Sequence, residues 1–460
     1  MAWGGGRAGS VVFPVLIVFF IFFSACSFSP PDSSEPAAAN PEVVPTLSDP
    51  SRGELKAGPE GDERRSSRTH ARQTLVLISL DTLRADQIDG APSAMPHLDE
   101  AFRTGIRFEQ AFAPSGNTLV SHASLLTGMR PREHRLAPGH PPTRPLETLA
   151  TSLRAAGYAT AGFAAHGDWL TPAYGFDRGF DHYEAAYRSA REQRLRALQW
   201  VEEHPNQSIF LFVHFFDAHS DTHALPYEAM PGGGQEAGGG GDSGRFSGCF
   251  PLADADGHAR RVCASEALAT MNQGRLAPPP GFALWAKALY RAGVGRLDAE
   301  VGALLDAIQA LRGPDALVMV VADHGEAFQE HGVFLHEIEY EEVLHIPALL
   351  KGSNLEAGRI SWPMTLRDVA PTLLGLSGVD VPETMTGRNV AGFLRRKGTP
   401  PPPVITSTQS VRYKGWKRLV DPRYPHPLLF DLRADPQEKH NKADEFPERI
   451  ERLKELGDGL

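Results

Sequence analysis

Three uninterrupted apolar runs constrain this chain more than any other feature: TLVLISL at 74–80, IFLFVHFF at 209–216 and ALVMVVA at 316–322. Each is dense in β-branched or aromatic residues and lacks a polar–apolar alternation. Strands read this way when both faces are covered, as in a largely parallel sheet whose crossover helices pack on either side. Helical patterns lie between the runs, and the clearest sets Leu297, Val301, Leu304, Leu305, Ile308 and Leu311 on one face. No internal repeat is visible. The fold class that follows is α/β, a large mostly parallel sheet flanked by helices. At 460 residues the chain has room for one large domain with an appendage, or for two or three domains.

The chain outside these patterns divides by composition. VVFPVLIVFFIFFSA, residues 11–25, is uncharged, follows Arg7 and is shorter than the roughly 20 apolar residues of a membrane span. It reads as the apolar region of a signal peptide, with an uncleaved N-terminal anchor as the alternative. Its end, FSAC, resembles a bacterial lipobox, which implies cleavage before Cys26 and a lipid on Cys26. Residues 27–72 are rich in Pro, Ser, Ala, Glu and Asp and hold too few apolar residues to offset the entropy of ordering, so a flexible tether is expected. The expected location is the bacterial cell envelope, lipid-anchored on the periplasmic side. A formal charge of −10, with no long basic run, speaks against nucleic acid as a partner.

Residues 224–281 interrupt the strand–helix alternation with PGGGQEAGGGGDSG and APPPG and read as an irregular insertion, a lid or a disordered loop. Cys249 and Cys263 lie inside it. In an exported chain they are expected to form a disulfide; a Cys/His metal site with His258 is the alternative. KGTPPPP at 397–403 marks a second boundary. Beyond it GWKRLV and PLLFDL read as short strands and FPERIERLKEL as a helix, giving a small α+β C-terminal domain at 401–460 after a main domain at 73–400.

Each apolar run ends in residues that carry chemistry. The first leads into Asp81, the second into Asp217 and His219, the third into Asp323, His324 and Glu326. Singly, an Asp after a strand is a common turn residue or helix cap. Together they would converge, because open parallel sheets bind ligands beyond the carboxyl ends of their strands. Mixed carboxylate and imidazole donors suit Zn²⁺ or Mn²⁺, and a more oxygen-rich set suits Ca²⁺ or Mg²⁺. SGNTLVSHASLLTGMRP at 115–131 adds a hydroxyl residue at the start of a helix-like run, with Ser121 as a helix cap in the simplest reading. A hydroxyl beside a bound cation, near helix N-terminal amides, becomes a usable nucleophile, and Thr118 has that setting.

These residues sit in a series of motifs: LVLISLDTLRAD, MPHLDEAFRTGIRFEQAFAP, SHASLLTG, GYATAGF, GFDRGFDHY, VHFFDAHSD, DHGEAFQEHG, YEEVLHIPALLKG, LRDVAPTLLGLSGV and LLFDLRADPQEKHNKAD. In order and spacing, from about residue 73 to about 442, they resemble the sulfatase family of the alkaline phosphatase superfamily. The resemblance implies an alkaline-phosphatase-like α/β domain with a small C-terminal sheet domain. It implies that Asp81, Asp323 and His324 are metal ligands and that His219 protonates the leaving group or holds the substrate. Thr118 stands where sulfatases carry the Cys or Ser that becomes formylglycine. DHGEAFQEHGVFLH is also similar to the lipid A phosphoethanolamine transferases, whose nucleophile is a threonine. Counterparts of Glu326 and His336 belong to the site there, sometimes with a second zinc. The chain departs from the sulfatase pattern at Thr82, which replaces a second Asp, and at Val120 and His122, which replace Pro and Arg. AAHG at 164–167 replaces Gly-Lys-Trp-His, leaving His166 as the nearest polar counterpart.

The expectation is a metal-dependent hydrolase or transferase with Thr118 as nucleophile. One divalent ion is held by Asp81, Asp323, His324 and Thr118, and a second ion or the substrate is met near Asp217, His219, Glu326 or His336. His122, His219 and His336 would hydrogen-bond the substrate, with His219 as general acid. The substrate is an anionic ester, phosphate-type in preference to sulfate-type. A sulfuric ester hydrolase proper, and a catalytically silent surface protein that binds anionic glycans or lipids, are the alternatives. For the leader, Cys26→Ala is expected to release the protein from membranes or block its maturation. Identical fractionation of wild type and variant, with no acyl chain on Cys26 by mass spectrometry, would count against the anchor.

Overall fold

The computed structural model describes residues 72–219, 249–253 and 259–459, the stretch 249–267 by its backbone alone. Cys26, the tether and the Gly-rich part of the insertion lie outside the described residues. The described residues hold together as one compact unit within Thr69–Leu460.

The first half of the chain forms β1 (Thr74–Leu80), β2 (Ile106–Phe112), β3 (Ala159–Ala164), β4 (His182–Ala185) and β5 (Ile209–Phe215). After β6 (Cys249–Ala253) and β7 (Ala259–Cys263) come β8 (Leu317–Ala322), β9 (Ala327–Phe328), β10 (Phe334–Leu335), β11 (His345–Lys351), β12 (Gly358–Ile360) and β13 (Met364–Thr365). Nine of these make one sheet in the order β12-β2-β11-β8-β1-β5-β3-β4, with β13 also paired to β2. Only β11 runs against the others, antiparallel to both β2 and β8. The three apolar runs are β1, β5 and β8, side by side at the centre. Every residue of β1 and β5 is buried, as is all of β8 after Leu317. This is why those runs show no alternation: neither face meets water.

The helix Phe282–Arg312 buries Leu297, Val301, Leu304, Leu305 and Ile308, as their spacing predicts, but Leu311 is 40% exposed. Arg312 turns inward in its place, because its guanidinium bonds Thr74 Oγ1 at 3.0 Å and the His204 carbonyl at 2.8 Å. The expected irregular insertion contains, among the described residues, an antiparallel hairpin of β6 and β7 followed by a helix at Ala264–Asn272. The hairpin register sets Cys249 opposite Cys263. Their side chains lie outside the described set, so the disulfide remains a proposal.

The C-terminal segment forms an antiparallel sheet of β14 (Ile405–Thr406), β15 (Ser410–Tyr413), β16 (Trp416–Leu419) and β17 (Leu428–Asp431), covered by the helix Pro447–Asp458. Trp416, Leu429 and Leu453 are its core. A separate cluster joins Leu419, Leu428 and Phe430 to Val333, Tyr340 and Val343, so this small sheet packs on the segment that follows β8.

Polar groups hold helix ends where local caps are missing. The helix Pro96–Ala101 has no capping side chain of its own. Its first amides, His97 N and Leu98 N, donate to Asp298 on the long helix at 2.9 and 2.8 Å. Asp298→Ala leaves these amides without an acceptor and is expected to cost about 2 kcal/mol of unfolding free energy, read by chemical denaturation, with Asp298→Asn intermediate. An unchanged midpoint would show that water satisfies them.

Candidate active site

Parallel neighbours carry their ends to the same edge, so β8, β1 and β5 deliver Asp323, Asp81 and the 216–219 turn to one place. Asp81, Asp323 and His324 are all fully buried, and one donor atom from each lies within 4.8 Å of the others. His324 Nδ1–H donates to the Gly325 carbonyl at 3.0 Å, which leaves Nε2 a bare lone pair. That Nε2 faces Asp323 Oδ2 at 3.3 Å and Asp81 Oδ1 at 3.8 Å. Burial holds the imidazole down at about 4, so it stays neutral at physiological pH. Asp323 Oδ1 accepts from His324 N and Thr82 N at 2.8 and 3.2 Å, whereas buried Oδ2 accepts no hydrogen bond. Burial, then the Asp81 charge, pushes the Asp323 carboxyl up to about 6. Acceptors that converge in a dry place without donors between them fit a cation, and one imidazole with two carboxylates is a donor set for a divalent transition ion.

Thr118 stands beside this cluster on the helix Thr118–Thr127. The helix starts earlier than the sequence pattern implied. Asn117 is the cap, with its side chain accepting from Val120 N at 3.3 Å, and Thr118 is the first helical residue. Ser121, expected as the cap, instead donates from Oγ to the Ser115 carbonyl at 2.8 Å. Thr118 Oγ1 lies 3.2 Å from His324 Nε2, at the positive end of the helix. The preceding loop is held close: a Cβ on Gly116 would meet the His336 carbonyl at 2.0 Å, so only glycine fits. His336 Nδ1–H in turn donates to the Gly116 carbonyl.

A cavity of about 700 Å³ opens over Thr118. His219 and His336 line it, with their Nε2 atoms 3.3 Å apart, and His219 stacks on Phe216 at 4.4 Å. Burial holds the His336 ring down at about 3. His166 also lines the cavity, its Nδ1 accepting from Asp168 N and Trp169 N, which leaves Nε2 to carry the proton. Trp169, Tyr187 and Phe216 form an aromatic wall, and no Lys or Arg lines the cavity among the described residues.

Other expected site residues lie elsewhere. His122 does not reach the cavity: one helical turn below Thr118, its Nδ1–H donates to the Thr118 carbonyl at 2.8 Å and its Nε2 accepts from Ser79 Oγ at 2.8 Å. It supports the helix and sits 3.6 Å from Asp323 Oδ2, so a role as substrate donor is corrected. Asp217 Oδ1 accepts from Ala190 N at 2.9 Å, tying down the start of the helix Ala190–Glu203, and does not belong to the donor cluster. Glu326 is fully buried and does not line the cavity, and neither carboxylate oxygen accepts a hydrogen bond. Burial, then Asp81, pushes its carboxyl well above the usual range. Thr82, in place of the family's second Asp, turns its hydroxyl back onto the Asp81 carbonyl at 2.8 Å. Its φ of +56° is an unusual one for a β-branched residue, and its amide reaches Asp323 as a result.

His214 is the residue the motif comparison passes over. Buried within β5, it donates from Nε2 to Asp81 Oδ2 at 3.1 Å and packs edge-on against His122 with ring centroids 4.8 Å apart. A histidine inside the otherwise apolar IFLFVHFF was the available signal, since a polar group in a doubly covered strand needs a buried partner.

The sequence model of the Sulfatase family matches residues 73–379. Arylsulfatase K of Homo sapiens is 30% identical over 183 residues, covering 35% of this chain and 34% of that protein. Arylsulfatase K of Gallus gallus is 31% identical over 194 residues, covering 37% and 36%. The chain thus spans about a third of the length of the curated relatives it matches. Among solved structures, a phosphonate monoester hydrolase of Agrobacterium radiobacter superposes with a TM-score of 0.64 at 17% identity, over 84% of this chain and 96% of that one. A protein in complex with its substrate D-glucosamine-2-N,6-O-disulfate gives 0.61 at 18% identity, over 84% and 97%. Such identities carry the fold alone, but the family match covers most of the chain, and with the strand-end residues described above it identifies this protein as a member of the Sulfatase family.

Proposed function

We propose that this chain is a metal-dependent hydrolase or transferase that cleaves an anionic ester through Thr118, with phosphate-type esters preferred to sulfate-type. The observation that carries the reading is Thr118 Oγ1 at a helix N-terminus, 3.2 Å from His324 Nε2 and open to a cavity lined by three further histidines. Asp81, Asp323 and His324 would hold the ion, which when bound lowers the pKa of a neighbouring hydroxyl and draws charge from an ester oxygen.

The chain's own groups do the rest. The amides at the start of the 118–127 helix favour negative charge on Thr118 and on the transferred group. Thr118 Oγ1 gives its proton to bulk water and attacks the central atom, and the bond to the leaving oxygen breaks. His219 gives a proton to that oxygen and then takes one from the water or alcohol that attacks the threonine ester. His336, anchored through the Gly116 carbonyl, turns its Nε2 lone pair to His219 Nε2–H at 3.3 Å and so orients that group over Thr118. A formylglycine hydrate can expel sulfate with its second hydroxyl; threonine has one hydroxyl, so its ester must be opened at the central atom. Phosphoryl transfer proceeds in that way, by positioning and charge stabilisation. The cavity's lack of Lys and Arg among its described lining residues favours a singly charged diester or phosphonate monoester. A sulfuric ester hydrolase is the second reading, favoured by relatives named arylsulfatase. Anchoring through Cys26 on the periplasmic side of an envelope belongs to the same proposal.

Thr118→Ala is expected to lower turnover by about three orders of magnitude or more while metal content persists, and Thr118→Ser to retain measurable activity. Near wild-type turnover in Thr118→Ala would remove the nucleophile. Asp323→Ala is expected to lose both bound metal and turnover; full metal occupancy in that variant, measured by elemental mass spectrometry, would refute the ligand assignment. A reporter panel of aryl phosphate monoester, phosphodiester, phosphonate and sulfate tests the substrate class, and cleavage of the sulfate alone decides for the second reading.

A further inference from the structure

A second cavity, about 480 Å³, shares no lining residue with the first. Three separate pieces of chain meet at it. The turn between β9 and β10 brings His331, the short helix Glu341–Leu344 brings Glu342, and the loop after β17 brings Glu438. One donor atom from each lies within 4.8 Å of the others. His331 stacks flat on Tyr340, with ring centroids 3.7 Å apart and planes 4° apart, so its imidazole is fixed in direction. Its Nε2 lies 3.6 Å from Glu342 Oε2.

Charge bookkeeping around the cavity leaves one group over. Glu341 is met by Arg412 at 2.6 Å and by Lys417 at 3.1 Å. Lys417 also reaches Glu438 Oε1 at 2.8 Å, and Glu438 Oε2 accepts from Glu341 N at 2.6 Å. Arg84 meets Asp86 and Glu330, each at 2.7 Å, and Lys287 reaches Glu330 at 3.4 Å. Glu342 forms an ion pair with none of these cations, and Arg84 acts on it only from a distance. Its side chain is 9% exposed, and its Oε1 is buried and accepts no hydrogen bond. The helix that carries it cannot back away, because it is wedged against the turn after β8: a Cβ on Gly325 would meet the Glu342 carbonyl at 2.1 Å.

We propose that His331, Glu342 and Glu438 form a structural divalent-cation site, distinct from the Asp81–Asp323–His324 cluster, that pins the C-terminal sheet to the segment following β8. One imidazole and two carboxylates suit Zn²⁺ rather than Ca²⁺ or Mg²⁺, which take oxygen donors, and water from the cavity completes the shell. The ion supplies the positive charge that Glu342 lacks, and it binds the folded chain only, since its ligands are brought together by tertiary structure. The site does not depend on the role given to Thr118.

Anomalous scattering at the zinc edge from crystals of the full chain grown with Zn²⁺ tests it directly. A peak between His331, Glu342 and Glu438 is expected; a fully formed cavity without one there would overturn the proposal. In solution, Glu342→Gln and His331→Asn are compared with their parent after zinc loading and desalting, both in the wild-type and in the Asp323→Ala background. Each is expected to hold about one equivalent of zinc fewer per chain and to lose the zinc-dependent part of the rise in melting temperature. Equal zinc content, with an equal zinc-dependent rise, in parent and variants would refute it.

Discussion

Two carboxylates and a bare imidazole nitrogen buried together are the constraint around which this molecule is arranged. Asp81, Asp323 and His324 have no exposed surface. Placing charges of one sign in a dry interior costs several kcal/mol per group unless hydrogen bonds and a counter-charge offset it. The chain answers with donors wherever a backbone can supply them. Thr82 N and His324 N reach Asp323 Oδ1, and His214 reaches Asp81 Oδ2. The left-handed backbone of Thr82 is part of the same solution, since it turns that amide toward Asp323. Asp323 Oδ2, which accepts no hydrogen bond, and the lone pair of His324 Nε2 face each other at 3.3 Å, next to Thr118.

The layer beneath is what makes the spot rigid. Ser79, His122 and His214 are polar residues enclosed by apolar strands, and their bonds link β1, the 118–127 helix and β5. Each holds a group that touches the donor cluster, so the cluster is fixed from below while the cavity above stays open. The helix itself is buried along all ten residues, which leaves Thr118 little freedom to move. Asn117 and Gly116 settle where the helix begins, and the start of the helix decides that Thr118 is its first residue and lines the cavity.

The C-terminal sheet takes part in this arrangement. Glu339, fully buried beside the cavity, accepts from Ser407, Thr408 and Gln409 N, and Thr408 N donates to the Pro114 carbonyl at 3.0 Å. Thr408 and Gln409 thereby line the cavity that Thr118 floors. Lys417, buried on the same sheet, ties it again through Glu341 and Glu438. Truncation before residue 401 would open the wall of the cavity as well as remove a sheet, so the two parts fold and act as one unit.

The sequence by itself determined the elements whose cause is local. Short apolar runs dense in β-branched and aromatic residues and ended by polar ones read as strands covered on both sides, and β1, β5 and β8 are such strands. Polar residues that end such runs must emerge at one sheet edge, and Asp81, His219, Asp323 and His324 do. After residue 403 the sequence showed β16, β17 and the final helix, while β14 and β15 went unread. Tertiary structure alone decided what depends on distance between remote residues. That His122 faces Ser79 rather than substrate, that Asp217 ties a helix end, and that Asn117 rather than Ser121 caps the nucleophile's helix are outcomes of competition among partners brought together only by folding. The burial of Glu326, and the meeting of His331, Glu342 and Glu438, are of the same kind. A motif records which residue types are present; which hydrogen bond each one makes is fixed by the lowest-energy packing of the whole sheet, because every buried polar group must find its partner at once.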